Sequence, residues 1–284
     1  MSTQSTIARE IRCRGIGLHT GQSVNLKFLP APPNSGIIFK RTDLPQSPAI
    51  YLREACLHTG PYCLILEKDE IHIQMAEHLL GTILGLGIDN LILELDSLEV
   101  PIMDGSALSF VTLLEQAGII SQNGTREKWI LEKPVWYFEN SRGIIALPWE
   151  NFQISYLVSY SHPLIGLQYA EFIINKSNFV QEISPARTFG WWEEIQEQRK
   201  SGLIKGGSLD NAIVFGEKNI LNPEQLRFPD EVVRHKILDL MGSLATLEGE
   251  LCLRVIAIKS GHALDTRLVS LLKENLKIIS QRSD

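Results

Sequence analysis

The chain has 284 residues, a formal net charge of −6, and 44% hydrophobic against 21% charged residues. This is the composition of a globular protein, and the length is enough for two domains. The charge balance, without a basic block, argues against a nucleic-acid partner. No secretory signal is recognisable, and no apolar run approaches the ~20 residues of a membrane span. We therefore expect a cytoplasmic monomer that does not insert stably into a membrane.

The four cysteines are scattered along the chain and contain no CxxC pair; they are Cys13, Cys56, Cys63 and Cys252. This spacing predicts neither a disulfide framework nor a cysteine-based zinc site. We interpret them as unmodified thiols of a reducing compartment.

Apolar residues in the first half alternate with polar ones where strands are expected and follow a helical period elsewhere. Ser106 precedes one helical run and is the predicted N-cap of that helix. The predicted strands cover 24–28, 37–39, 71–73 and 91–95, and the predicted helices cover 75–86 and 106–117.

The polar stretch 121–126 contains Asn123-Gly124, a turn signal. It predicts a boundary between a domain over 1–122 and a domain over 127–284. Strands are predicted beyond it over 129–138, 143–147, 152–159, 212–215 and 251–258, and helices over 191–201, 231–246 and 263–279.

The second half repeats the first half's closing order of helix, strand and helix. His78 and His235 stand 157 positions apart (235 − 78), and Gly85 and Gly242 have the same separation. Matched spacing of matched elements predicts two copies of one α+β unit. The expected fold is therefore α+β, with two similar domains, each a mostly antiparallel sheet packed on two helices.

Three residues have the chemistry of metal ligands. His235 and Asp239 lie four apart in a predicted helix and therefore project from one face. Taken alone, this pair is as well explained by a His–Asp hydrogen bond on a solvated helix. His78, which follows Glu77 at the start of an otherwise apolar helix, supplies a third ligand.

Two histidines and one carboxylate leave a fourth tetrahedral position open for water, the usual arrangement of catalytic zinc. Zinc acidifies that water and polarises a carbonyl. Glu77 is adjacent to a ligand and cannot easily reach the same metal, so we interpret it as the general base. The chain lacks the HExxH spacing of a zincin peptidase.

His262 lies in a predicted turn between a strand and a helix, where functional residues are common. It could donate a proton or stabilise an oxyanion, and Lys236 could add positive charge there. A solvated histidine in a turn is an equally good reading of His262 alone. Two glycine-rich stretches, 14–21 and 202–207, lack the spacing of a nucleotide-binding loop.

Nine short segments together resemble the UDP-3-O-acyl-N-acetylglucosamine deacetylase family, the zinc enzymes of bacterial lipid A synthesis. They occur in family order across nearly the whole chain, which makes the set more specific than any one segment. The segments are GIGLHTG (15–21), EHLL (77–80), GLGIDN (85–90), PIMDGSA (101–107), ARTFG (186–190), GGSLDNA (206–212), LRFPDE (226–231), RHKILD (234–239) and KSGHAL (259–264).

The resemblance implies an active site between the two domains and hydrolysis of the N-acetyl amide of UDP-3-O-acyl-N-acetylglucosamine, with release of acetate. It assigns the roles by matching position, as follows: His78, His235 and Asp239 bind Zn²⁺; Glu77 is the base; His262 is the acid or oxyanion partner; Lys236 and Thr188 lie beside the scissile amide; Lys259 lies near the diphosphate; and Tyr160 lies against the uracil. An insert around 191–201 is expected to form an acyl-chain passage, with Phe189 and Trp191 as substrate contacts.

The chain departs from the family pattern in two places. Ser243 occupies the position where family members commonly carry an aspartate that supports the catalytic histidine, and Gln74 and Met75 replace small hydroxyl residues before Glu77. Two alternatives remain open: a zinc amidase for another acylated sugar nucleotide, and a non-catalytic binding protein. Retention of the base beside all three ligands argues against the second.

Overall fold

The structure, a computed structural model, describes residues 2–60 and 62–278 and confirms the predicted α+β class. The first half ends in the helix–strand–helix order predicted from its sequence. Its elements are β1 (Thr3–Ile7), β2 (Ile11–Ile16), β3 (Ser23–Pro30), β4 (Ile37–Arg41), β5 (Ala49–Tyr51), β6 (Cys56–Gly60), β7 (Cys63–Lys68), β8 (Ile71–Gln74), α1 (Glu77–Leu86), β9 (Leu91–Leu95), α2 (Leu108–Ala117) and β10 (Ile119–Thr125).

The second half begins at β11, and a single π-helical turn, Phe179–Ile183, continues its first short helix. Its elements are β11 (Lys128–Leu131), β12 (Val135–Glu139), β13 (Arg142–Pro148), β14 (Gln153–Ser159), β15 (Leu167–Ile173), α3 (Lys176–Asn178), β16 (Phe189–Trp191), α4 (Trp192–Lys200), β17 (Ile213–Phe215), α5 (Glu231–Leu244), β18 (Glu250–Ile258), α6 (His262–Asn275) and β19 (Leu276–Ile278).

The two halves share one sheet topology. The first sheet has the order β2-β3-β9-β4-β5, and the path β12-β13-β18-β14-β15 runs through the second. Along each path every pair is antiparallel except one, β9 with β4 and β18 with β14. Because α1 precedes and α2 follows β9, as α5 precedes and α6 follows β18, the structure confirms two copies of one unit.

Each unit carries an insertion at the same place, between its last paired edge strand and its first long helix. In the first half the insertion is a three-stranded antiparallel sheet, β6-β7-β8. In the second half it runs from α3 to β17 and includes the parallel pair β16-β17 and helix α4. These two insertions flank the region where the units meet.

The helices of both units face each other between the sheets, and α1 packs on α5. Their buried apolar side chains belong to one contiguous cluster that includes residues of both halves, such as Leu80, Phe110, Leu238 and Leu268. The units therefore share a core. Within the described part of the chain, no helix is long and apolar enough to cross a membrane.

Several predicted turns and bounds of individual strands and helices were wrong. The expected turn at Asn123-Gly124 lies inside β10, which pairs with β1 at the far end of the first half. The predicted strand 129–138 is two strands, because Pro134 follows β11 and cannot donate a ladder hydrogen bond. The last predicted helix, 263–279, ends at Asn275 and continues as β19; residue 279 lies outside the described residues.

The N-cap prediction for α2 was wrong by one residue. Ala107 occupies the cap position and offers no side-chain acceptor. Ser106 still accepts a hydrogen bond from the Leu108 N–H at 3.2 Å, and its hydroxyl donates to the Asp104 carboxylate at 2.9 Å. The side chain therefore caps the helix entry from one residue further out.

Candidate metal centre and active site

Helices α1 and α5 approach each other closely because glycines occupy their crossing. A Cβ on Gly242 would come 2.7 Å from the Cα of Glu77, and one on Gly81 would come 2.7 Å from a Leu238 methyl. Real Cβ atoms do not approach that closely, so larger residues would force the helices apart. The small residues set the distance between the side chains that each helix contributes.

His78 of α1 meets His235 and Asp239 of α5 at this crossing. One donor atom from each lies within 4.8 Å of the other two, and all three residues are buried. The Asp239 Oδ1 atom is 3.2 Å from His235 Nε2 and 3.7 Å from His78 Nε2. In the described part of the chain this is the one such cluster of potential ligands. The structure thus brings together the three residues predicted to bind a metal.

Hydrogen bonds orient two of these side chains from outside. The His235 Nδ1 atom lies 3.1 Å from the Ala186 carbonyl oxygen, which leaves Nε2 to face Asp239. Lys236 Nζ donates to Asp239 Oδ2 at 2.6 Å. Burial alone would raise the pKa of Asp239, but the charges of Lys236 and His235 outweigh it and lower that pKa well below its usual value. Asp239 therefore stays ionised.

Lys236 is largely buried and His78 is buried, and the pKa values of the two groups shift in opposite directions. Burial alone would lower the pKa of Lys236, but the Asp239 carboxylate outweighs it and raises that pKa. The pKa of His78 falls to about 3, first because of burial and then because of His235. A neutral imidazole is the form that binds a metal.

Glu77 is buried beside the cluster and lines the same cavity. Its Oε2 atom accepts the Leu64 N–H at 3.1 Å, a contact from β7 of the first insertion. Burial, followed by the nearby Asp239 charge, raises the pKa of Glu77 to about 8. A carboxyl group with a pKa near neutrality is suited to proton transfer.

His262 is the first residue of α6 and lines the same cavity. Its Nδ1 atom is buried without a hydrogen-bond partner among the described residues. Burial, which outweighs the attraction of Asp239, lowers the pKa of His262 to about 4. Ser243, which lies fully buried on α5, adds no charge near this imidazole.

A cavity of about 620 Å³ contains all the predicted site residues except Lys259. Its aromatic part is built from rings in contact: Tyr160 and Trp191 have centroids 5.5 Å apart, and Tyr160 and Phe189 5.9 Å. Thr188, which precedes Phe189 in the chain, lines the same cavity. Lys259 lies in the turn before α6, with φ of 50°, and its N–H donates to the Leu157 carbonyl at 2.7 Å.

The first half contributes four further cavity residues that had no predicted role: Leu18, His19, Tyr62 and Met75. Leu18 and His19 belong to the glycine-rich stretch 14–21, whose shape depends on the buried Glu99. That carboxylate accepts the N–H groups of His19 and Thr20, each at 3.1 Å. Glu99 is 79 to 80 residues away, so only the glycines could have indicated a close approach.

The fold and the site together define a class of protein, an α+β hydrolase built from two similar units. Two histidines, one carboxylate and a second buried carboxyl group lie where the two units meet. The family model for UDP-3-O-acyl N-acetylglycosamine deacetylase (LpxC) matches residues 4–274. The chain belongs to this family.

Similar proteins include the UDP-3-O-acyl-N-acetylglucosamine deacetylase of Saccharophagus degradans, 42% identical over 279 residues, which are 96% of this chain and 91% of that protein. The protein of the same name from Syntrophotalea carbinolica is 38% identical over 97% of this chain and 89% of its own length. That from Myxococcus xanthus is 41% identical over 94% of this chain and 85% of its own length.

Proposed function

We propose that this chain is a zinc-dependent deacetylase of lipid A biosynthesis. It hydrolyses the N-acetyl amide of UDP-3-O-acyl-N-acetylglucosamine to UDP-3-O-acyl-glucosamine and acetate. The single observation that carries this proposal is the meeting of His78, His235 and Asp239 beside the buried Glu77 at one end of an apolar cavity. We further propose that the enzyme acts as a cytoplasmic monomer.

The donor set fits zinc. Two imidazole nitrogens and one carboxylate oxygen form a borderline-soft, three-ligand set of the kind that leaves one position open. His235 already has its other nitrogen at a backbone carbonyl, as metal-binding histidines usually do. When bound there, zinc supplies Lewis-acid polarisation of the amide carbonyl and acidifies water.

Glu77 takes the proton of the attacking water, because its carboxylate lines the cavity beside the ligands and its pKa lies near neutrality. Lys236 and Thr188 line the cavity and are placed to stabilise negative charge on the amide oxygen. His262, which also lines the cavity, interacts with the leaving nitrogen. Burial lowers the pKa of His262, which favours the neutral imidazole.

The remainder of the cavity suits an acylated sugar nucleotide. Its wall beyond Thr188 is formed by Phe189, Trp191 and Trp192 together with aliphatic side chains of the second insertion. An apolar cavity with few polar groups at one end is the common form of a ligand site. Tyr160 faces the uracil, and Lys259, in the turn outside the cavity, faces the diphosphate.

Acetate release from UDP-3-O-acyl-N-acetylglucosamine, measured by mass spectrometry, tests the proposal. We expect turnover by the purified chain, its loss on treatment with a chelator, and its return on addition of zinc. Deacetylation that is insensitive to metal removal would contradict the zinc centre. If the chain did not turn over this substrate but turned over another acylated sugar nucleotide well, the proposed substrate would be wrong.

A further inference from the structure

Three consecutive residues, Ala186, Arg187 and Thr188, connect the metal cluster to the substrate cavity without belonging to a helix or strand. The Ala186 carbonyl faces His235 Nδ1 at 3.1 Å. Thr188 lines the cavity, and its N–H donates to the Gly105 carbonyl of the first half at 2.7 Å. The residue between them, Arg187, has its side chain turned away from the site.

Arg187 is held by Glu231, the first residue of α5. The Glu231 side chain is fully buried and that of Arg187 is 4% exposed. Glu231 Oε1 accepts the Arg187 backbone N–H at 3.0 Å and its Nε–H at 2.9 Å, and Oε2 accepts from Nη2 at 3.2 Å. A buried ion pair of this kind has a large desolvation cost, so its contribution to stability alone does not explain it.

The carbonyl of Ala186 and the N–H of Arg187 belong to the same peptide group. A peptide group is planar, so fixing its N–H fixes the direction of its carbonyl. A carboxylate that accepts the N–H also polarises the group and strengthens the carbonyl as an acceptor. Glu231 therefore acts on the His235 imidazole through one peptide plane, although the two side chains are not in contact.

A second arginine ties the same carboxylate to the first half. The Arg227 N–H donates to Glu231 Oε2 at 2.6 Å. Its guanidinium donates to Asp104 Oδ2 at 3.0 Å and to the Pro185 carbonyl at 2.8 Å. Segment 185–188 is thus held at Pro185 by Arg227 and at Arg187 by Glu231, and Arg227 itself donates to Glu231.

We propose that Glu231 is a positioning residue, which holds the Ala186–Arg187 peptide so that the Ala186 carbonyl orients His235 for the metal. Such outer partners of a ligand histidine typically change metal affinity or activity by about 10- to 100-fold when they are removed. The proposal rests on the metal centre proposed above, because His235 is a ligand only if that centre exists.

The test compares zinc affinity and the visible spectrum of the Co²⁺-loaded protein among variants of the intact chain. Glu231→Ala removes the acceptor, and we expect zinc affinity to fall about 10- to 100-fold, with altered Co²⁺ bands. Glu231→Gln keeps a neutral acceptor and should restore part of the affinity. Asp89→Asn is the matched control, because it breaks another largely buried ion pair, with Arg126, remote from the site.

Thermal unfolding of the metal-free proteins separates positioning from stability. If the Glu231 variants bind zinc and show Co²⁺ bands as the unaltered chain does, or change no more than Asp89→Asn at equal stability, the positioning role is overturned. If Glu231→Ala does not fold, Glu231→Gln against Asp89→Asn decides the question by the same measurements. Metal binding by the unaltered chain, and its loss in His235→Ala, test the centre itself.

Discussion

Glu77 and His78 are neighbours in the chain, yet their side chains have different partners. His78 Nε2 faces Asp239 at 3.7 Å, whereas Glu77 Oε2 accepts a backbone N–H from β7 at 3.1 Å. Adjacent helical residues point about 100° apart, so both can reach one cavity without sharing a metal. This separation lets His78 serve as the proposed ligand and Glu77 as the proposed base.

Replacing Glu77 by Gln should leave zinc bound and lower turnover about 10²- to 10⁴-fold, because only the proton acceptor is lost. His78→Ala is the comparison, since it should lose both zinc and turnover. Metal analysis together with acetate release distinguishes the two variants. Near-normal turnover in Glu77→Gln would exclude this residue as the base.

Ser243→Asp should raise the pKa of His262. Asp239, one turn earlier on α5, already favours the charged form of this imidazole, and burial lowers its pKa to about 4. A second carboxylate stabilises the imidazolium further, so a higher pH is needed to remove its proton. The loss of the His262 proton should therefore move to higher pH.

The His262 pKa can be followed by NMR titration of the zinc-loaded protein, beside the pH–rate profile. Ser243→Asn is the control, because it has a similar size without the charge. An equal shift in both variants, or a shift to lower pH in Ser243→Asp, would show that charge at this position does not support His262.

At the scale of elements, the crossing of α1 and α5 sets the geometry of the centre. Gly242→Ala should reduce stability by about 1–3 kcal/mol, since the added methyl meets the backbone at Glu77, which cannot rotate away. Gly261→Ala is the control, because no atom lies within 4 Å of a Cβ there and its φ of −175° suits any residue. Urea unfolding measures both.

Zinc affinity should fall with stability in Gly242→Ala, because wider helix separation moves His78 away from Asp239. If Gly242→Ala were as stable as the unaltered chain, the contact between α1 and α5 would tolerate the added methyl group. Unchanged affinity in a destabilised variant would mean that the ligands adjust independently of the crossing.

The second prediction at this scale concerns helix α4. Trp192 is 42% exposed and lines the cavity, so Trp192→Ala should weaken substrates with long acyl chains more than those with short ones. Trp149→Ala is matched, because that side chain is 45% exposed but stacks on Arg254 outside the cavity. Steady-state constants across a series of chain lengths measure the difference, and equal loss for all lengths would remove Trp192 from the passage.

Strongly periodic elements could be predicted from sequence. The strand predicted over 91–95 has the same bounds as β9, because the residues next to it in the sequence are enough to indicate where it begins and ends. β10 could not be predicted, since its partner, β1, lies at the start of the chain and its own residues read as a turn. Likewise His78 and His235 could be predicted as ligands from residue type and spacing, whereas Glu99 and Glu231 act through hydrogen bonds to distant segments that no local pattern indicates.

At the scale of the whole molecule, the proposed metal would bind the two units together. His78 comes from one unit and His235 and Asp239 from the other, so zinc binds only when both are folded and docked. Ligands that bind only the native state stabilise it by about 2.7 kcal/mol at a concentration of 100 times Kd. Zinc should therefore raise the midpoint of unfolding of the whole chain.

Denaturant unfolding with zinc and with a chelator checks this expectation. His78→Ala and His235→Ala, which alter opposite units, should both lose the zinc-dependent increment. A chain whose midpoint is the same with zinc and with chelator would contradict a site shared between the units.

The shared topology has an evolutionary consequence. A homodimeric ancestor of single units would place two equivalent histidines across its symmetry axis, as His78 and His235 stand now. Symmetry would also force identical residues at every other equivalent pair. In this chain, the same separation pairs Glu77 with Arg234 and Thr82 with Asp239. The predicted base and third ligand therefore each occur in one copy alone, an asymmetry that a dimer of identical chains could not have.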